Sequence, residues 1–70
     1  MGPTEQEKLR IRIEHWIEHN AGHAEEFTEL AAAVRTGKNS GVSADLLKAA
    51  EELQKANRWL KEAIRKIGDK

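Results

Sequence analysis

Three histidines recur one helical turn apart, at His15, His19 and His23, within the stretch His15-Trp16-Ile17-Glu18-His19-Asn20-Ala21-Gly22-His23. On an α-helix, residues four apart lie one above the other, so two imidazoles at that spacing can reach a single ion. Glu26 follows three residues after His23, which places His19, His23 and Glu26 on one face at i, i+4 and i+7. Imidazole nitrogen with carboxylate oxygen suits zinc, nickel, cobalt, copper(II) or iron(II) better than calcium. The expected ligands are therefore His19, His23 and Glu26, with His15 or a residue of a dimer mate as the fourth. Between Ile13 and Val34 there are five Glu and no Lys or Arg, a local field that attracts cations.

Other chemistries find less support. The Glu-x-x-His pattern of di-iron bundles is missing, because Arg12, Trp16 and Asn20 occupy the positions three before the histidines. Gly37-Lys38 lacks the upstream glycine of a phosphate loop. With no cysteine and no paired nucleophile and base, catalysis has no visible machinery, and the expectation is a protein that is not an enzyme. Twelve basic residues balance twelve acidic ones, which argues against a nucleic-acid binder. No apolar run approaches the roughly 18 residues of a membrane span. A soluble, cytoplasmic protein is the expectation.

The histidines must be carried on helices, and the apolar spacing predicts two. Thr4 stands where an N-cap is needed, with Glu5 and Glu7 in the first turn. From there a heptad series runs through Leu9, Ile13, Trp16, Asn20, His23, Phe27, Leu30 and Val34. It predicts one domain with a helix over about 4–36, a loop over 37–42 containing Gly37 and Gly41, and a second helix over about 43–67 capped by Ser43. The second seam is Leu46, Ala50, Leu53, Asn57, Leu60, Ile64 and Ile67. Folding the helices back on each other would set His23 opposite Asn57, Asn20 opposite Leu60 and Trp16 opposite Ile64. Asn57 and Asn20 would then orient the ring of a ligating histidine.

The fold class expected is all-α, an antiparallel helical hairpin. The apolar arc of the second helix, with Leu53, Leu60 and Ile67 beside Ala49, Ala56 and Ala63, is too wide for one partner. A homodimer forming a four-helix bundle follows, with Trp16, Trp59, Phe27, Leu53 and Leu60 as interface anchors. The alternative is a three-helix bundle, broken at Asn20-Ala21-Gly22, where Asn and Gly could end a helix.

The stretch H-W-I-E-H-N-x-x-H-A-E-E-F, His15 through Phe27, resembles one in small uncharacterised prokaryotic helical proteins. It spans about a fifth of the chain, and the resemblance implies no activity, substrate or partner. Two functional readings stay open at this level. One is a transition-metal protein built on the histidine/glutamate cluster. The other is a structural or oligomerisation bundle, natural or designed, in which His23, Asn20 and Asn57 only form a polar layer that fixes register.

Overall fold

A computed structural model of the chain describes residues 4–36, 38 and 40–68. Two helices of 29 residues each, α1 (Glu5–Ala33) and α2 (Ser40–Gly68), run antiparallel as a hairpin. Thr4 caps α1 as its sequence requires. Its hydroxyl accepts from the Glu7 backbone N–H at 3.0 Å, and the Glu7 carboxylate accepts from the Thr4 N–H at 2.8 Å. The helix passes unbroken through Asn20-Ala21-Gly22, so the three-helix alternative does not form. Asn20 breaks nothing because its side chain is engaged across the hairpin and does not compete for its own backbone.

Both loop-side boundaries differ from expectation. The first helix closes at Ala33, where the Val34 N–H is shared between the Leu30 carbonyl at 3.1 Å and the Ala31 carbonyl at 3.3 Å. The second helix starts at Ser40, so Ser43 lies inside it and caps nothing. Its hydroxyl instead donates to the Ala31 carbonyl of α1 at 2.8 Å, buried between the helices. Gly37, expected to stop α1, lies outside the described residues.

Packing selects a different stripe of α1 from the one its hydrophobicity suggests. The inward stripe is Arg10, Ile13, Ile17, Asn20, Ala24, Phe27, Ala31 and Val34, with His23 partly buried at its edge. Leu9, Trp16 and Leu30 of the expected seam remain 48%, 49% and 51% exposed. Half of the two stripes is shared, and the other half is displaced by one residue. The displaced members are small, Ala24 and Ala31, and small residues let two helices approach closely along their length. Ala50 and Ser43 of α2 are buried with them, and these four with Asn57 are the buried residues among those described.

The register changes with the rotation. Asn57 does not face His23. Its amide donates to the Ile17 carbonyl at 3.0 Å and its oxygen accepts from the Asn20 amide at 3.1 Å. Of the expected interface anchors, Phe27, Leu53 and Leu60 are half-buried, whereas Trp16 is exposed and Trp59 is 75% exposed.

This core is thin. Among the described residues no large side chain is fully buried. The radius of gyration is 16.3 Å and the extents are 57 × 20 × 10 Å, against about 11 Å expected for the radius of gyration of a compact 70-residue domain. Among the described residues no helix is long and apolar enough to cross a membrane.

Two outcomes follow for chemical denaturation. A Cβ at Gly22 would meet nothing within 4 Å, so Gly22→Ala stabilises by about 0.5–1 kcal/mol, as expected in an exposed helix interior. A loss of stability would count against a continuous α1. Asn57→Ala costs about 1–3 kcal/mol, because Asn20 and the Ile17 carbonyl lose their partner in a part-buried position.

Candidate metal site on α1

Helix α1 brings His19, His23 and Glu26 together, and it does so through particular atoms. The Nε2 atoms of His19 and His23 are 3.1 Å apart. On the other side of the His23 ring, Nδ1 is 2.9 Å from Glu26 Oε1. An ionised carboxylate only accepts, so Nδ1 of His23 must carry the proton. In the neutral ring this leaves the Nε2 lone pair of His23 aimed at His19. Glu26 thereby fixes the tautomer and rotation of His23, the arrangement found where a carboxylate orients a metal-binding imidazole.

A row of rings holds this pair in place. Trp16 presents an edge-to-face contact to His19, with centroids 5.4 Å apart and planes at 86°. Phe27 stacks on His23 at 6.0 Å and 17°. The two imidazoles meet each other edge-to-face at 4.4 Å. His15 stacks on the far side of His19 at 6.1 Å and contacts Trp16 at 6.0 Å, so it extends the row without joining the 3.1 Å pair.

Three expected features are changed by this geometry. Glu26 is bound to the nitrogen that faces away from His19, so it orients a ring and does not stand as a third ligand beside the two Nε2 atoms. Asn20 and Asn57 bond each other and the Ile17 carbonyl, so neither orients an imidazole. The His23 side chain is 44% exposed and Glu26 69%, which places the pair on the rim of the hairpin, outside the helix–helix seam. Among the described residues no group of three His, Cys, Asp or Glu is gathered so as to hold a metal ion. Within one chain the hairpin brings two imidazoles into contact and no more.

Residue spacing did not reveal the parts played by Trp16 and Phe27. Their positions, three before His19 and four after His23, were the available signal. Away from this face, on α2, a hydrogen bond from Arg65 holds the Glu62 carboxyl below its ordinary value. It is an exposed pair of a kind that contributes little to stability.

A family model described as a domain of unknown function, DUF8180, matches residues 9–67, which takes in the helical hairpin and the histidine row. The chain belongs to the DUF8180 family. It is also 32% identical over 62 residues to an uncharacterised protein of the archaeon Archaeoglobus fulgidus, covering 89% of this chain and 98% of that one. No solved structure gives a significant match.

Proposed function

We propose that this DUF8180 protein binds a divalent transition-metal ion through Nε2 of His19 and Nε2 of His23, with Glu26 orienting His23. The convergence of the two Nε2 atoms carries the reading. Two nitrogens about 2.0–2.1 Å from one ion and 3.1 Å from each other subtend roughly 95–100° at it, within the range of tetrahedral and square coordination. In the free protein the proton on His19 Nε2 occupies the gap, and the ion would replace it. Neutral imidazoles favour zinc, nickel, cobalt and copper(II). Five Glu from Glu14 to Glu29, uninterrupted by Lys or Arg, favour the approach of a cation. A site with two protein donors leaves coordination positions open, which suits a carrier or sensor that exchanges its ion.

A second reading, a ligand-free oligomerisation module forming a homodimeric four-helix bundle, is favoured by one observation. Among the described residues no large side chain is fully buried, while Leu9, Ile11, Trp16, Leu30, Val42, Leu47 and Trp59 are exposed. The two readings differ in what the imidazoles do. Calorimetric titration of tag-free protein with zinc, nickel, cobalt and copper separates them. Saturable binding is expected, abolished in the variant carrying both His19→Ala and His23→Ala. Glu26→Gln weakens it about 10–100-fold, as removal of an orienting carboxylate does elsewhere. No binding by any of the four ions, or binding unchanged in the double variant, overturns the metal reading.

Binding also has an optical signature. Trp16 lies 5.4 Å from the His19 ring, so in a Trp59→Phe background copper(II) quenches the remaining tryptophan fluorescence with the same midpoint as calorimetry. Unchanged emission at saturation would place the ion elsewhere.

A further inference from the structure

We propose that two copies of this chain pair antiparallel through one stripe of α1, and that the two His19–His23 pairs then meet as a single four-imidazole metal site on the two-fold axis. This rests on the metal reading above and names what fills the open coordination positions.

The first observation is the stripe. Leu9, Trp16, His23 and Leu30 recur every seven residues on α1. Packing against α2 leaves Leu9, Trp16 and Leu30 about half exposed and His23 part-exposed. A seven-residue repeat of this kind is a seam for a neighbouring helix running close to parallel or antiparallel.

The second is its symmetry. Reversing the stripe sets Leu9 beside the partner's Leu30 and Trp16 beside the partner's His23, and an isologous contact then repeats each pairing on the other side of the axis. The axis falls between His19 and Asn20. At about 1.5 Å per residue, His19 and its copy stand at nearly the same level. Side chains on a helix lean toward its N-terminus. The point on which His19 and His23 converge is therefore drawn from the level of residue 21 back toward the axis. Two such points, one from each copy, close on one another, and four imidazoles make a complete tetrahedral set.

The third is charge. The three cations of α1, Lys8, Arg10 and Arg12, lie in its first third, where Glu5, Glu7 and Glu14 balance them, and Glu25, Glu26 and Glu29 lie in its last, which has no cation. Antiparallel pairing puts the charge-balanced end of each helix, where the cations of α1 lie, beside the acidic end of the other. Parallel pairing would stack glutamates on glutamates. The thin core supplies the reason for a partner at all: a hairpin of 16.3 Å radius of gyration with no large buried side chain has apolar surface still to cover.

The experiment is light scattering on a size column with zinc titrated into the full chain, stoichiometry being read by metal analysis. The expected result is a two-chain species holding one zinc per two chains. Leu30→Glu leaves the His19–His23 pair intact and makes the protein a monomer whose zinc affinity falls by at least about tenfold. Adding Leu9→Lys to Leu30→Glu restores the dimer, because antiparallel pairing sets the new lysine against the new glutamate. One zinc per chain on a monomer, or a dimer that survives Leu30→Glu unchanged, overturns the shared site while leaving metal binding by His19 and His23 standing. No binding of zinc, nickel, cobalt or copper by the wild-type chain overturns both.

Discussion

The rotation of α1 about its own axis is set by Asn57. This residue reaches across the hairpin to two acceptor and donor groups, the Ile17 carbonyl and the Asn20 amide, in a position where water cannot easily substitute. A part-buried amide without partners would cost about 1–3 kcal/mol, so the helices settle where both bonds form. Ser43 adds a second fixed point, nearer the loop, on the Ala31 carbonyl. Two polar contacts separated along the seam define both register and rotation, which neither could do alone. Once they are made, Ala24 and Ala31 face α2, and the stripe of Leu9, Trp16, His23 and Leu30 turns outward. The exposure of the histidine pair is therefore a consequence of where two small polar side chains find partners.

The same rotation explains which parts of the structure could be read from residue order. The hairpin, the Thr4 cap and the continuity of phase through Gly22 follow from periodicity and capping chemistry, which are local. The facing stripe does not. Two heptad series offset by one residue share Ile13, Asn20, Phe27 and Val34, and differ at Leu9, Trp16, His23 and Leu30 against Arg10, Ile17, Ala24 and Ala31. Apolarity favours the first series because leucine and tryptophan bury more area than alanine. Close approach of two backbones favours the second, and that term is visible only when both helices are present. Ser43 was misplaced for a related reason, since a serine before an apolar run reads as a cap whether its hydroxyl bonds its own helix or its neighbour's. On α1, the spacing of His19, His23 and Glu26 lets their side chains touch in sequence along the helix. Which nitrogen of His23 meets Glu26 depends on ring rotation, and no spacing rule encodes that.

A polar layer and a proposed metal-binding set compete in the sequence for the same residues, and the hairpin assigns Asn20 and the histidines to different places. Asn20 and Asn57 make the interhelical layer, and no hydrogen bond among the described residues joins His19 or His23 to α2. The imidazoles are ordered instead from their own helix, by Glu26 and by ring contacts to Trp16 and Phe27. A histidine held in one tautomer by a neighbour on the same helix keeps that geometry without help from the rest of the fold.

This separation couples the site to stability in one direction. The hairpin buries alanines, a serine and an asparagine but no large side chain, so its folding free energy lies at the low end for a domain of this size. The helical spacing that sets two Nε2 atoms 3.1 Å apart exists only while α1 is helical. An ion held there binds the native state and not the unfolded one, and stabilises it by RT ln(1 + [L]/Kd), about 2.7 kcal/mol at a hundredfold excess over Kd. In a large domain that increment is a small correction. Added to so thin a core, it would be a larger share of the total, so on the proposed metal reading occupancy of the histidine pair and persistence of the hairpin would be coupled.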